Sequence, residues 1–380
     1  MNSFAVERVE KKQPMDTVLL AVIVLLATVG VSMLFSSSYF RAQRLFDDPL
    51  YFFRRQALWV LLGAAAATLA ARISLTFIQK QMRLILGATL VLMLLTFVPG
   101  IGTEFLGARR WIFIFGYSFQ PSELAKLTVV IYLAFILSKK QDRMDDPVNA
   151  LLPPIIVVAV FASLIYVQND FSTGFFLVFI ALAMLFVANV PLRYFMGLGV
   201  MMVPLAVILL LSREHRVKRL VSYLEPARDP TGTGYQVFAS NAALRAGGLW
   251  GEGIGGSVQK AGRLPEAHSD FVFAILAEEL GFAGVLLIVS LFGMLAYRGY
   301  LIAYTASDRF TSLVAFGLTS TVCLQALFNL AVVAGAVPAT GVPLPFFSSG
   351  GTSVFMTLVM CGLLLNVSRF TERRGGELHG

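Results

Sequence analysis

The sequence predicts an all-α integral membrane protein with ten transmembrane helices. Of its 380 residues, 57% are hydrophobic and 14% are charged, and the mean hydropathy is +0.77. A soluble domain carries roughly 45–50% apolar and about 25% charged residues, so the composition argues against a soluble globular enzyme. The apolar residues also gather into runs close to the length of a membrane-spanning helix, which is about 20 residues.

The apolar runs follow one another along the whole chain, so residues 1–380 are expected to form a single polytopic membrane domain. The first run comes after Lys11 and Lys12. It is longer than a signal-peptide core of about 7–15 residues and no A-x-A cleavage site follows it, so we expect a retained helix. The predicted spans are 17–35, 56–71, 84–98, 122–138, 151–167, 173–189, 194–211, 271–296, 311–336 and 351–367.

The distribution of positive charge predicts the orientation of these spans. The two termini and the segments on their side hold 15 Lys and Arg residues, whereas the short loops on the other side hold 6. The positive-inside rule therefore places both termini in the cytoplasm. The scattered cations, without an interleaved aromatic surface, give no indication of nucleic-acid binding.

One large extracytoplasmic loop, residues 212–270, is expected between spans seven and eight. It begins with the basic run Arg213, Arg216, Lys218 and Arg219, which suggests a short interfacial helix. It continues through a glycine-rich stretch, 247–256, that superficially resembles a dinucleotide fingerprint but follows no strand, so tightly turned backbone is the better interpretation. No P-loop motif is present, and three scattered histidines do not indicate a zinc site. Cys323 and Cys361 lie in apolar runs and are expected to be buried thiols.

Charged residues at the ends of spans are the best guide to chemistry, because burying charge in lipid is costly. Glu123 and Lys126 are three residues apart on one predicted helix, so they either form an ion pair or leave Lys126, with Arg109 and Arg110, to receive an anion. Asp170 lies in a short turn, where it either caps the next helix or takes part in a site. The segment 342–353 is rich in proline and glycine and predicts irregular backbone facing protein or a water-filled cavity.

Asp270 is the strongest candidate for a catalytic residue. It lies where the polar loop meets the span 271–296, where it could cap the helix or act as a general base. Glu278 is eight residues further on, roughly 12 Å along a helix. This separation disfavours a glycosidase-like carboxylate pair, for which about 5–9.5 Å is needed. Glu278 and Glu279 are therefore expected to be buried packing or cavity groups.

In combination, these motifs resemble the SEDS family of bacterial cell-wall proteins (FtsW, RodA and SpoVE), over nearly the whole chain. Departures occur at Asn169 and Ser172, where the family usually has Pro and Gly, and at Ser349, where it usually has Tyr. The stretches 257–260 and 265–271 resemble the division branch more than the elongation branch. The motifs that carry the resemblance are Gly107–Ile112, Gln120–Glu123 with Lys126, Leu264–Phe271, Ala277–Gly281, Asn329 and Pro343–Gly351.

The resemblance implies a peptidoglycan glycosyltransferase that polymerises lipid II by β-1,4 linkage and releases undecaprenyl pyrophosphate. Asp270 would deprotonate the acceptor's 4-hydroxyl, and cations would receive the charge of the leaving pyrophosphate. The expected substrate-binding residues are Arg109, Arg110, Glu123, Lys126, Asp170, Lys260, Arg263, His268 and Ser348. No cofactor is certain; a divalent cation, Mg²⁺ or Mn²⁺, is left open, although no ligand cluster indicates one.

The resemblance also implies the partners and the location. The expected partners are a class B penicillin-binding protein acting as transpeptidase and other divisome or elongasome membrane proteins, in the bacterial inner membrane and at the division site. Two alternatives remain open, a lipid II flippase and a non-catalytic scaffold for the transpeptidase. A flippase needs cations but no external carboxylate base, and a scaffold needs neither. Only the glycosyltransferase requires the carboxylate of Asp270, so this residue distinguishes the three functions.

Overall fold

The computed structural model describes residues 13–105, 107–114, 116–141, 151–225 and 232–371. These residues are mainly helical, as the sequence predicts. The helices are α1 (Thr17–Phe46), α2 (Tyr51–Ala70), α3 (Leu75–Lys80), α4 (Met82–Leu95), α5 (Pro121–Lys139), α6 (Leu152–Val167), α7 (Phe171–Val187), α8 (Leu192–Leu211), α9 (Glu214–Leu224), α10 (Thr233–Ala246), α11 (Val272–Thr305), α12 (Arg309–Val333) and α13 (Gly351–Val367).

Each predicted span coincides with one of these helices, although the boundaries differ. The helix of the first predicted span, α1, continues to Phe46, past the predicted end at 35. The helix of the eighth predicted span, α11, continues to Thr305, past the predicted end at 296. Within the described residues, six helices are long and apolar enough to cross a membrane, namely α1, α5, α8, α11, α12 and α13 with its short 3-10 extension. Helices α4, α6 and α7 are apolar but shorter. The number of ten spans stays a prediction.

The segment between α4 and α5 departs from the all-α expectation. It forms a three-stranded antiparallel sheet in which β1 (Gly102–Phe105), β2 (Ala108–Ile114) and β3 (Tyr117–Phe119) pair in chain order. The strand residues are rich in aromatic and β-branched side chains, which favour a pleated surface. Gly107 and Gly116 have φ values of 74° and 79°, which a glycine adopts without strain at the two tight turns.

The bundle is built around α13, which packs along α2. Gly362 makes the close approach possible, because a methyl group there would lie 2.3 Å from the carbonyl oxygen of Ala67. By contrast, α8 buries none of its side chains fully and lies at the periphery. The charged and polar side chains of the candidate site lie between α1, α5, α7, α11, α12 and the connecting segments.

The two ends of the described chain lie at the same end of the bundle. The amide of Gln13 donates to the carbonyl of Arg369 at 2.9 Å, and Arg298 near the end of α11 forms an ion pair with Asp16. At the other end of α1, Arg44 donates to the carbonyl of Ala261 at 3.2 Å. The loop before α11 and the two termini are therefore at opposite ends of the helices, as the predicted topology requires.

Candidate active site

The glycine-rich stretch docks into a break within α11. Gly281 has φ 64° and ψ −166°, which interrupts the helix and leaves backbone groups without helical partners. Residues 248–253 satisfy these groups with four backbone hydrogen bonds of 2.9–3.2 Å to residues 278–283. The bonds are Glu252 N to Glu278 O, Gly253 N to Glu279 O, Phe282 N to Gly248 O and Ala283 N to Leu249 O. The expectation of tightly turned backbone is confirmed.

A buried ion pair fastens the following part of the loop. Lys260 Nζ lies 2.6 Å from Glu279 Oε1, and the two side chains are 3% and 0% exposed. Ser36 of α1 donates to both oxygens of Glu279 at 2.6 and 2.8 Å and accepts from Lys260 at 2.9 Å. Lys260, expected to bind substrate, thus has a carboxylate partner inside the protein. Sequence reasoning did not find Ser36, whose neighbours carry no motif.

Glu278 holds the loop at a second point. Its carboxylate accepts hydrogen bonds from the hydroxyl of Ser257 and, at 3.0 Å, from the amide of Val258. Glu278 and Glu279 are each 1% exposed, which confirms that they are buried polar groups. The loop is therefore held to α11 at residues 248–253, at Ser257 and Val258 and at Lys260, and this fixes the approach of the chain to Asp270.

Asp270 lies two residues before Val272, the first residue of α11, and does not cap the helix. The N-cap residue is Phe271, which makes no side-chain cap, so the structural alternative for Asp270 is wrong. Its carboxylate accepts the hydroxyl of Ser269 at 3.0 Å. Its backbone carbonyl accepts from Asn329 of α12 at 2.8 Å, and Asn329 also donates to the carbonyl of Val342 at 2.9 Å. The backbone of Asp270 is thus fixed between α12 and segment 342–353.

The surroundings raise the pKa of Asp270 above its ordinary value. Burial is the main cause, because it disfavours the charged form, and the negative charge of Glu266 acts in the same direction. The hydrogen bond from Ser269 and the positive charges of Arg219 and Arg110 oppose the rise. A carboxylate with a raised pKa is a stronger base than an ordinary exposed aspartate.

Arg110, whose charge acts on this carboxylate, pairs with Asp170, and together the two residues link three elements. Arg110 Nη1 is 3.4 Å from Asp170 Oδ2, and its guanidinium lies 4.2 Å from the centre of the Trp111 ring. Asp170 also accepts from the amide of Thr173 at 3.2 Å and from the side chain of Gln120 at 3.2 Å. Asp170 is therefore the N-cap of α7. It also binds Arg110, the arginine of β2 whose charge acts on Asp270.

The second arginine of that pair is placed differently. Arg109 forms an ion pair with Glu104 across the sheet at 2.8 Å, and both side chains are about half exposed, at 54% and 51%. Arg263 is also exposed. Side chains on a strand alternate between its faces, so neighbouring arginines point to opposite sides of the sheet. The structure separates Arg109 from the group around Asp170.

Lys126 forms the ion pair with Glu123 that the spacing allows. The two groups are 2.9 Å apart and each side chain is 4% exposed. Lys126 also donates to Gln325 of α12 at 2.7 Å, and Gln325 donates to the carbonyl of Pro343 at 3.0 Å. This chain of contacts joins α5 to α12 and to segment 342–353, so it supports the same segment that faces Asp270.

His268 and Ser348 are both buried, and His268 is two residues before Asp270 in the chain. The His268 ring lies 5.0 Å from that of Phe52, and burial is the main cause that lowers its pKa to about 4. The carbonyl of His268 accepts from the amide of Ser349 at 2.9 Å. The hydroxyl of Ser348 accepts from the amide of Leu344 at 2.7 Å. Both residues organise the backbone around Asp270.

Sequence reasoning missed Arg219 of α9 as a neighbour of Asp270. Arg219 is exposed, unlike Arg216 on the same helix, and it interacts electrostatically with Asp270, Arg110 and Asp170. The signal was the basic run at the start of the loop, but one sequence does not reveal which face of an amphipathic helix turns inward. Among the described residues, no three His, Cys, Asp or Glu side chains come together as a metal site. Mg²⁺ is often held by one or two carboxylates together with substrate phosphates, so this finding concerns only a site built entirely from protein side chains.

A family profile described as "Cell cycle protein" (FTSW_RODA_SPOVE) matches residues 16–373. The chain is 38% identical over 360 residues to the probable peptidoglycan glycosyltransferase FtsW of Geobacter sp. (strain M18), covering 95% of this chain and 98% of the relative. It is 39% identical over 362 residues to the stage V sporulation protein E of Bacillus subtilis (strain 168), covering 95% and 99%.

Solved structures show the same fold. One match is a chain from a peptidoglycan synthase complex that coordinates polymerization and crosslinking, with a TM-score of 0.78, 28% identity and coverage of 94% of this chain and 99% of that chain. Another is the rod shape determining protein RodA of Thermus thermophilus, with a TM-score of 0.69, 26% identity and coverage of 94% and 98%.

Proposed function

The chain belongs to the FtsW/RodA/SpoVE family and is a peptidoglycan glycosyltransferase of cell-wall synthesis, and we propose that Asp270 is the general base of its reaction. The substrate is lipid II, and the product is a glycan strand with β-1,4 linkages. We further propose the division branch, to which the sequence motifs around Asp270 are most similar.

The proposed reaction forms one bond and breaks one bond. The 4-hydroxyl oxygen of the acceptor's N-acetylglucosamine attacks the anomeric carbon of the donor. The bond from that carbon to the pyrophosphate oxygen breaks, and undecaprenyl pyrophosphate leaves with the bonding electrons. The hydroxyl proton passes to Asp270, which must therefore be deprotonated at the start of each cycle.

The position and environment of Asp270 are the observation that carries this proposal. Its backbone is fixed by Asn329 at 2.8 Å, while its carboxylate is bound by Ser269 and does not cap a helix. Burial raises its pKa, which strengthens it as a base, and the hydrogen bond from Ser269 and the positive charges of Arg219 and Arg110 oppose the rise. A carboxylate with only a capping role would need neither feature.

The predicted substrate contacts divide into three groups. Arg110 and Asp170 lie close to Asp270, and Arg110 is the proposed receiver of charge on the leaving pyrophosphate. Arg109 and Arg263 are exposed, and we propose that they contact the substrate at the rim. The remaining five, Glu123, Lys126, Lys260, His268 and Ser348, are buried and act by holding the segments around Asp270.

The proposed setting is the bacterial inner membrane. The chain is a membrane protein with several helices able to cross a bilayer, and we propose ten spans, cytoplasmic termini and an extracytoplasmic site within residues 212–270. The positions of the termini and the loop at opposite ends of the bundle support this topology. Location at the division site is proposed from the branch assignment.

We propose that the enzyme works with a class B penicillin-binding protein and with other divisome or elongasome proteins. The support is its likeness to a chain of a complex that couples polymerization to crosslinking. A requirement for Mg²⁺ or Mn²⁺ at the pyrophosphate is a further proposal. Loss of polymer synthesis on chelation, and its recovery on adding either ion, would establish that requirement.

The decisive experiment is synthesis of glycan polymer from purified lipid II by reconstituted protein, with and without its transpeptidase. We expect Asp270→Asn to fold and bind its partner but to lower the rate about 10²–10⁴-fold, as loss of a general base does. Normal synthesis by that variant would refute the role of Asp270. If wild type makes no polymer but carries labelled lipid II across liposomes, the flippase is right; if it does neither and only binds the transpeptidase, the scaffold is right.

A further inference from the structure

The basic helix α9 presents its positive charges to two different environments. Lys218 pairs with Glu214 at 3.0 Å, and the two side chains are 72% and 83% exposed. Arg216, two residues earlier, is only 7% exposed. An amphipathic helix at a membrane surface normally keeps its cations in water, so a buried arginine on it requires a reason.

Arg216 is buried with part of its hydrogen-bonding capacity unused. Its Nη1 donates to the carbonyl of Leu209 at 2.8 Å, and its guanidinium lies 4.6 and 5.0 Å from the ring centres of Tyr166 and Phe171. Its Nε and Nη2 are buried and have no hydrogen-bond partner within the described part of the chain. These two nitrogens form one edge of the guanidinium, the edge that binds two oxygens of a phosphate or carboxylate side by side.

Arg216 neighbours two further arginines, Arg110 and Arg219, whose charges act on the proposed base Asp270. Tyr166 and Phe171 flank Asp170 in the chain, and Asp170 pairs with Arg110 at 3.4 Å. The Nε of Arg110 is also buried and, among the described residues, lacks a partner. Arg219, one turn after Arg216, interacts electrostatically with Arg216, Arg110, Asp170 and Asp270.

Among the described residues, the two carboxylates Asp170 and Asp270 leave three buried N–H donors of Arg110 and Arg216 without acceptors. A buried donor without an acceptor is costly, and the cost disappears when an anion with several oxygens binds. A diphosphate supplies enough acceptor oxygens and enough negative charge for all three arginines. A single carboxylate does not.

We propose that Arg216 and Arg219 of α9, together with Arg110, form a binding site for the diphosphate of a polyprenyl-linked sugar beside Asp270. This inference rests on the proposed function and names the residues that hold the donor. The helix α9 follows directly after the apolar α8, so it can bring its arginines to the depth of lipid headgroups. The two aromatic rings shield Arg216 from water and strengthen its attraction to the anion.

Binding of undecaprenyl diphosphate to the purified full chain in detergent tests this proposal. We expect Arg216→Gln and Arg219→Gln each to weaken binding about 10-fold or more, since hydrogen bonds to charged groups contribute about 1.5–3 kcal/mol. Lys218→Gln, on the same helix but exposed and paired with Glu214, is the matched control and should bind like wild type. Asp270→Asn should also bind diphosphate while failing to make polymer.

Competing ligands identify the bound chemistry. Inorganic diphosphate should compete with the lipid, whereas undecaprenyl monophosphate and phosphatidylglycerol should compete far less. Equal competition by phosphatidylglycerol would show a general headgroup site and overturn the proposal. Unchanged binding in both arginine variants would overturn it as well, whatever their polymer synthesis. If Arg216→Gln unfolds, Arg219→Gln, which removes no close contact to Tyr166 or Phe171, still decides the matter.

The two proposals can fail separately. Wild type that binds diphosphate through Arg216 and Arg219 but never makes polymer contradicts the glycosyl-transfer step and leaves the binding site standing. Wild type that makes polymer, with both arginine variants binding and polymerising normally, contradicts the binding site alone.

Discussion

The ion pair between Lys260 and Glu279 allows a direct test of whether Lys260 holds the loop or binds substrate. We consider Lys260→Met, which keeps the length of the side chain but removes its charge, and Glu279→Gln, which removes the charge of its partner. The pair is 2.6 Å apart with side chains 3% and 0% exposed, and Ser36 donates to both oxygens of the carboxylate. Either single change leaves one buried charge without its counterion.

Removing one partner of a buried ion pair costs about 3–5 kcal/mol of unfolding free energy. We therefore expect each single variant to lose stability in this range. The double variant Lys260→Met with Glu279→Gln leaves no uncompensated charge, so its loss should be no larger than that of either single variant. The matched control is Lys218→Met, whose partner Glu214 is exposed, and for which about 0–1 kcal/mol is expected.

Unfolding by SDS in mixed micelles gives the four free energies, and the lipid II assay gives the activity of the double variant. If Lys260 only holds the loop, the double variant should fold and still make polymer. Additive losses from the two single changes would show that the groups do not act as a pair. A double variant that folds stably but neither binds diphosphate nor makes polymer would show that Lys260 contacts the substrate.

Three further predictions concern the groups around Asp270. Polymer synthesis should fall on the acid side as Asp270 becomes protonated, and Glu266→Gln, which removes a charge that raises the pKa of Asp270, should move this fall to lower pH; an unmoved profile would contradict the assignment. His268, with a pKa of about 4 against 6.5 when unfolded, contributes stability that is present above about pH 6.5 and is lost as the pH falls towards 4. His268→Phe should weaken this acid dependence, and identical acid unfolding would argue against it. Gly281→Ala places a methyl group 2.4 Å from the loop backbone at φ 64°, so it should lower the free energy of unfolding by at least about 1 kcal/mol. Gly248→Asn, at φ 50° in open space, should leave this free energy nearly unchanged. Equal losses of stability in the two variants would contradict the docking of the loop.

Features that depend on local sequence could be predicted well. The positions of the apolar helices follow from composition, and the pairing of Glu123 with Lys126 follows from helical spacing. The sheet between α4 and α5 was missed even though its signal is present. An aromatic and β-branched run between Gly107 and Gly116 is typical of paired strands. The prediction of an all-α protein treated this run as a loop.

Features that depend on distant contacts could not be predicted. Lys260 had no visible partner in the sequence, because Ser36 lies 224 residues away and Glu279 is on another element. The inward position of Arg216 depends on how α9 rotates against α6 and α7, which the basic run alone does not determine. The sequence therefore did not reveal these buried contacts, and the expected roles of Asp270, Lys126 and Lys260 stay predictions.

The break in α11 also bears on how the protein is made. A segment that leaves the translocon for the bilayer must have every backbone amide and carbonyl satisfied, since each unsatisfied group costs several kcal/mol in lipid. The groups freed around Gly281 are satisfied by residues 248–253, which are synthesised earlier. On the proposed topology, these residues have already been exported when α11 enters the membrane. The order of synthesis thus delivers the partners of the broken helix before the helix that needs them.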